Sequence, residues 1–332
     1  MSGRAVFEIA GRSVTPGTSE IVEIPVSTLP DYTRVALQVK VHHGRRKGPV
    51  LFVSAAVHRD EVSGVEIVRR LLRAPGLFSL RGTLLAVPIV NANGFLARSR
   101  YLPDRRDLYR CFPGHPSGSL ESRLALIFLE QLVDRADVGV DLHSAAVHRT
   151  NLPQIRISPG DAKSADIAQV FGAPVILTSP LRDGSLRSEA AARAKAVLLY
   201  EAGEGLRFEE FAVQAGVAGI LRVMHALKML PAKGISSAKA APYQCKGSNW
   251  LRAPTGGLFR PFRAEGDVVR EGELLASIAD PFGGAEADLI APTDGILIGR
   301  AVPPVMNEGD AVFHIASIDA HDTSDSVDSL AA

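Results

Sequence analysis

Residues 35–41 (VALQVKV) alternate apolar and polar positions, the period of a half-buried strand. Residues 48–57 (GPVLFVSAAV) and 82–90 are continuous apolar runs and read as strands buried on both faces. Residues 61–72 (EVSGVEIVRRLL) switch to the period of an amphipathic helix. A second helix is expected over 119–133 (SLESRLALIFLEQLV), with Ser119 as its N-cap. Residues 138–142 and 196–200 (AVLLY) are short apolar strands, and 165–171, 188–196 and 208–230 read as helical. Residues 1–45 hold short β segments. Strands alternating with helices imply an α/β sheet covered by helices on both faces.

The pattern changes after Leu230. Residues 231–241 (PAKGISSAKAA) are small, polar and linker-like. From 243 to 315, short apolar stretches alternate with Gly, Pro and Asp turns, which predicts an all-β segment. Two pieces of it repeat. Ala253-Pro254-Thr255-Gly256-Gly257-Leu258 resembles Ala291-Pro292-Thr293-Asp294-Gly295-Ile296, and Glu265-Gly266-Asp267-Val268 resembles Glu308-Gly309-Asp310-Ala311. A pseudo-twofold β domain follows. The expected organisation is a first domain over 1–232, a linker over 233–242 and a β domain over 243–318. The Asp/Ser-rich composition of 319–332 predicts a disordered tail.

Composition narrows the function classes. A length of 332 residues suits two domains. Lys+Arg is 37 against Asp+Glu 36, so the net charge of +1 gives no reason to expect nucleic acid or an anionic membrane as partner. Aromatic residues at 6% argue against a base-stacking platform. No apolar run reaches transmembrane length, and the N-terminal MSGRAVFEIAGRSV lacks a signal-peptide core. Two cysteines, Cys111 and Cys245, cannot build a disulfide framework, so a cytoplasmic location is expected.

Candidate chemistry gathers at strand ends, where α/β sheets bind ligands. His58-Arg59-Asp60-Glu61 directly follows an apolar strand, and its H-x-x-E spacing lets one turn aim an imidazole and a carboxylate at one point. Asp141-Leu142-His143 ends another strand, with Asp141 and His143 on one face. A zinc-bound imidazole commonly donates its other N–H to a carboxylate, a role open to Asp141. His58, Glu61 and His143 together make a two-His, one-Glu set, the composition of a catalytic zinc site with a position left for water. Structural capping and a buried Asp–His pair are the bland readings of the two motifs. Glu201-Ala202-Gly203-Glu204 follows a third apolar strand and offers two carboxylates, Glu201 and Glu204, as general base. Residues 98–110 hold five arginines with Asp104 and Asp107 among them. A hydrolase of small acidic substrates uses arginine to clamp a carboxylate and to stabilise a developing oxyanion.

His58-x-x-Glu61, Arg100-Tyr101, Asp107-Leu108-Tyr109-Arg110-x-Phe112-Pro113-Gly114, Asp141-Leu142-His143 and Glu201-Ala202-Gly203 occur in the order seen in the succinylglutamate desuccinylase/aspartoacylase family. The chain resembles that family over about residues 45–230, and the β segment resembles its C-terminal domain. The resemblance implies a three-layer α/β/α, zinc-carboxypeptidase-like (phosphorylase/hydrolase-like) domain and a small all-β domain resembling a barrel-sandwich. It implies one Zn2+ per chain on His58, Glu61 and His143, with Glu201 as general base. Arg100 would polarise the scissile carbonyl and Arg110 would hold the substrate carboxylate. Two positions depart from the family pattern: Tyr109 stands where Asn is usual, and Arg59 where Gly is usual. Tyr109 would therefore alter substrate preference. Asn151 and Arg156, soon after the metal motif, are further candidates for the pocket wall.

The paired EGD and AP-T-x-G motifs also resemble biotinyl/lipoyl-type domains. Such carriers modify a Lys on an exposed turn, and no Lys lies between Asp267 and Asp294. A lid or oligomerisation role is expected instead. The reading is a zinc-dependent amidohydrolase of linear amides in N-acyl amino acids or similar small carboxylates, using zinc-activated water and a Glu base. A carboxypeptidase-like or deacetylase activity on a related amide, and a non-catalytic metal-binding module, are the alternatives. The expected partner is the small-molecule substrate, with no nucleic acid and no membrane; a second copy of the chain is admitted.

Overall fold

The computed structural model describes residues 4–58, 60–92, 95 and 107–318. Arg59, Arg100 and the 319–332 tail lie outside the described residues. A hairpin, β1 (Phe7–Ile9) and β2 (Arg12–Val14), opens the chain. The central sheet has nine strands: β3 (Thr18–Thr28), β4 (Arg34–His43), β5 (Arg46–Ala55), β6 (Arg81–Val87), β7 (Val138–His143), β9 (Gln154–Ile157), β10 (Val175–Thr178), β11 (Ala196–Glu201) and β12 (Tyr243–Cys245). Strand β8 (Arg149–Asn151) belongs to a different sheet. The spatial order is β12-β10-β9-β11-β7-β5-β6-β4-β3. Strands β11, β7, β5 and β6 run parallel as neighbours. Antiparallel β4 and β3 extend one side, and β9 pairs antiparallel with β11 on the other, so the sheet is mixed.

The apolar runs explain the centre. Along β5, Leu51, Val53 and Ala55 face a core shared with helices α1 (Ser63–Leu71), α3 (Ala162–Phe171) and α5 (Glu210–Ala226). Phe52 faces the opposite core, with α2 (Leu120–Phe128) and α4 (Leu186–Ala192). Both sides of the strand are dry, which is why polar alternation is missing from it. Ser119 caps α2 by accepting the Ser122 N–H, and the helix widens into a π-type turn over Leu129–Val133. Gly64 lets α1 approach the sheet closely: a Cβ there would lie 2.9 Å from the Ala55 Cβ and 3.1 Å from the Leu142 Cβ. This close approach holds the start of α1, and with it Glu61, over the ends of β5 and β7.

The C-terminal region is all β: β13 (Ser248–Arg252), β14 (Gly257–Pro261), β15 (Val268–Val269), β16 (Leu274–Ala279), β17 (Glu286–Ile290), β18 (Gly295–Ala301), β19 (Val305–Met306) and β20 (Ala311–Ala316). One sheet runs β13-β20-β18-β15 and the other β17-β16-β14-β19, around a core that includes Phe259, Leu275, Leu297 and Phe313. The repeat is visible as two equal turns. Asp267 accepts the Ala264 N–H at 2.9 Å, and Asp310 accepts the Asn307 N–H at 2.8 Å.

Two strands cross between the regions. Tyr243–Cys245, whose sequence reads as the start of the β domain, pairs in parallel with β10 at the edge of the central sheet. Arg149–Asn151, from between β7 and β9, pairs antiparallel with β18. Val175, Leu177, Cys245, Ile296, Ile298 and Ala316 close the junction as one apolar cluster. Among the described residues, no helix is long and apolar enough to cross a membrane.

Candidate metal and catalytic site

Three of the parallel strands, β11, β7 and β5, are adjacent, and their carboxyl ends deliver the candidate residues to one place. At the end of β5, Ala56 adopts a left-handed φ of +52°, which turns the chain off the sheet toward His58. At the end of β7, His143 stands in register with Glu201 of β11.

His58, Glu61 and His143 are all buried, and their ligand atoms lie within 4.8 Å of one another. Nδ1 of His58 is 2.7 Å from Glu61 Oε1, and Nδ1 of His143 is 2.8 Å from Glu61 Oε2. Each imidazole turns its Nε2 to a second carboxylate: Asp107 Oδ1 at 3.3 Å for His58, Asp141 Oδ2 at 2.7 Å for His143. Ser54, the register partner of Asp141 across β5 and β7, donates to Asp141 Oδ1 at 2.7 Å. Converging Nδ1 atoms backed by carboxylates at the far nitrogens are what a metal-ligating imidazole pair requires. The donor set therefore fits a divalent cation with nitrogen and oxygen preferences, such as zinc.

The charges reinforce one another. Burial alone would lower the His58 pKa, but the Glu61 and Asp107 carboxylates outweigh it and raise it to about 9. Burial likewise opposes the charged form of His143, and Asp141 and Glu61 lift it well above the ordinary range. Burial would raise Glu61, yet the two imidazoles hold it far below the usual carboxylate value. Tyr109 covers this cluster, its ring centroid 5.7 Å from that of His58 and 5.3 Å from that of His143. Burial, then the Asp141 charge, pushes its phenol up.

Glu201 and Glu204 part company. Glu204 is buried in its own loop, accepting the His148 N–H at 2.8 Å and pairing with Arg207 Nε at 3.0 Å. Glu201 ends β11, and one oxygen, Oε2, takes the Asn151 amide at 2.7 Å and Arg156 at 3.3 Å. Asn151 and Arg156, singled out from sequence as pocket wall, thus both turn to Glu201. Arg110 lies 3.9 Å from Asp107 and its side chain is 75% exposed. Arg100 is outside the described residues.

Sequence reasoning gave no role to three residues here. Ser54 and Asp107 support the two imidazole–carboxylate pairs, and Arg187 is a buried arginine, 8% exposed. Arg187 is bound by Ser179 and Ser158 hydroxyls at 2.9 and 3.2 Å and by the Ser179 carbonyl at 3.0 Å. Burial lowers its pKa, and the charges it feels next are those of Tyr109, Arg156 and Glu201. Among the described residues it has no carboxylate ion pair. The signal in the sequence was weak: one Arg at the head of a short helix, fourteen residues before Glu201.

Fold and site together define a mixed α/β protein with a candidate metal centre at the carboxyl ends of its parallel strands. A family model of the succinylglutamate desuccinylase/aspartoacylase catalytic domain matches residues 47–227, and the chain belongs to that family. The N-alpha-acetyl-L-2,4-diaminobutyric acid deacetylase of Halomonas elongata is 27% identical over 287 residues, 82% of this chain and 84% of that protein. The succinylglutamate desuccinylase/aspartoacylase structure from Rhodobacter sphaeroides is similar with a TM-score of 0.79 at 25% identity, covering 91% of this chain and 96% of the other. The product-bound ectoine utilization protein EutE (DoeB) of Ruegeria pomeroyi shares the fold, with a TM-score of 0.79 at 22% identity over 90% of this chain and 94% of the other.

Proposed function

We propose that the protein is a zinc-dependent deacylase that hydrolyses the linear amide of an N-acyl amino acid or similar small carboxylate. The observation that carries this reading is the His58–Glu61–His143 cluster standing at the same strand ends as Glu201. The likeness to a deacetylase of an N-acetylated diamino acid supports the substrate class. Three-layer α/β/α architecture with a barrel-sandwich-like C-terminal domain is the matching family-level reading of the fold.

His58, Glu61 and His143 would hold the zinc, with Asp107 and Asp141 fixing the imidazole rings. Zinc bound there supplies a Lewis acid for the acyl oxygen and lowers the pKa of water. Glu201 takes the proton from the attacking water and returns it to the leaving amine. Tyr109 shields the cluster from bulk water and replaces the usual Asn beside the substrate. Arg187, a buried cation lacking a carboxylate ion pair among the described residues, takes the substrate carboxylate. Arg110 stands at the exposed rim, and Arg100 is assigned the scissile carbonyl through the family motif.

The test combines metal analysis with an amine-release assay over a panel of N-acyl amino acids. The expected result is roughly one zinc per chain, the stoichiometry of a three-ligand catalytic site, with turnover of at least one panel member. His58→Ala and His143→Ala should each lose both. Full zinc content in both variants, or a zinc-loaded protein that releases no amine from any member, overturns the reading.

A further inference from the structure

The hold on Glu201 comes partly from the C-terminal region. Asn151 gives its side-chain amide to Glu201 Oε2 at 2.7 Å. Its backbone exchanges two hydrogen bonds with Gly203, at 3.2 and 2.8 Å, just past Glu201 in the chain. On its other side, Asn151 is in register with Gly299 of β18. Neighbouring contacts tighten the same seam: the Leu152 N–H and the Gln154 side-chain amide both donate to the Ile298 carbonyl, at 3.1 and 3.2 Å. Asn151 is therefore wedged between the turn that carries Glu201 and a strand almost 150 residues further along the chain.

Residue 299 decides where the Asn151 amide sits. A Cβ at Gly299 would lie 2.5 Å from Asn151 Oδ1, well inside van der Waals contact. The next atoms are the Thr150 carbonyl oxygen at 3.2 Å and the His314 Cβ at 3.5 Å. The nearest obstacle is the end of a rotatable side chain, so a methyl there moves the amide before it moves the sheet. Gly299 also sits mid-row in a register that runs Trp250–His314–Gly299–Asn151 across β13, β20, β18 and β8. Trp250 and His314 stack at 4.4 Å, which stiffens the far end of the row.

We propose that Asn151 and Gly299 are positioning residues for Glu201, and that the C-terminal β region sets the orientation of this carboxylate through the glycine at 299. The proposal rests on Glu201 acting as the base. A general base needs its accepting oxygen within hydrogen-bond reach of the proton it takes. Asn151 ties down Oε2 and so leaves Oε1 aimed by default. Losing this tie leaves Oε2 only the longer Arg156 contact at 3.3 Å, so the carboxylate gains freedom to rotate without being removed.

The experiment is kinetics of the zinc-loaded full chain for Asn151→Ala, Gly299→Ala and the double variant, with Glu201→Gln alongside. Asn151→Ala and Gly299→Ala should each lower kcat by about 10–100-fold, the range for one hydrogen bond to a charged group. KM, zinc content and the circular dichroism spectrum should stay near those of the parent, a split that general structural damage does not give. The double variant should be no slower than Asn151→Ala, because the atom that Gly299→Ala displaces is already gone. Should Gly299→Ala alone fail to fold, the double variant should fold, since the clashing oxygen is absent. Effects that multiply in the double variant overturn the proposal, as does a double variant that stays unfolded, or unchanged kcat in both single variants. If Glu201→Gln is inactive while both single variants are fully active, this inference alone fails. If Glu201→Gln is fully active, the proposed base itself fails.

Discussion

Arg187 and Arg110 have the same side chain and opposite settings. Arg187 is buried and held by Ser158 and Ser179, while Arg110 is mostly in water with Asp107 at 3.9 Å. A charged hydrogen bond is worth about 1.5–3 kcal/mol where water is excluded, and an exposed pair contributes about 0–1 kcal/mol. Arg187→Ala should therefore raise KM for a carboxylate substrate by about 10–100-fold, and Arg110→Ala should raise it far less. Steady-state kinetics on one N-acyl amino acid checks both. The reverse order would return the clamp to Arg110, the residue to which the family motif points. His58, Glu61, His143 and Asp141 were legible because each stands at a fixed short spacing at the end of an apolar strand. Asp107 was visible only as part of the family motif, without a role, and Ser54 and Arg187 were not legible as site residues. The contacts of Ser54 and Asp107 arise from register across β5 and β7 and from the chain at Asp107 folding back to His58, and Arg187 is buried against Ser158 and Ser179.

At the scale of elements, continuous apolar runs located β5, β6, β7 and β11 because all four are buried on both faces. The helix over 119–133 was legible with its cap, since Ser119 followed by an apolar period is a local signal. Strands β8, β9 and β10 were not identified from the pattern, and β12 was read as β but assigned to the C-terminal region. They are three or four residues long and acquire their order from partners far away, as when Tyr243–Cys245 joins β10. The N-terminal segment was read as short, but β3 runs eleven residues. Its alternation is broken at the outer end, where four successive residues are exposed. The repeated Glu-Gly-Asp motifs did carry structural content, because both aspartates close equivalent turns.

At the scale of the whole molecule, the two regions share two strand pairings, an apolar junction and the hold on Glu201, so the β region is part of the site's scaffold. His314 lies in that shared layer, with Ser248 Oγ at 2.8 Å and Trp250 stacked against it. Burial first, then the charges of Arg156 and Arg149, push its pKa down to about 3. The unfolded value is about 6.5. Between those values the unfolded chain binds the proton and the folded chain does not. Stability from this residue is thus complete above about pH 6.5 and lost progressively as pH falls toward 3. The fall in melting temperature from about pH 7.5 to about pH 5.5 should accordingly be smaller for His314→Gln than for the parent; an equal fall in both contradicts the assignment. The most direct test of the account concerns Glu201, because it separates a hydrolase from a metal-binding module of the same fold. Turnover and zinc content are measured for Glu201→Gln and Glu204→Gln on the best N-acyl amino acid. Glu201→Gln should keep its zinc and lose about 10²–10⁴-fold in kcat, the usual contribution of a positioned acid–base group, while Glu204→Gln should change kcat far less. A dead Glu204→Gln beside an active Glu201→Gln would contradict the assignment of the base, and full turnover in both would contradict carboxylate-assisted hydrolysis at this site.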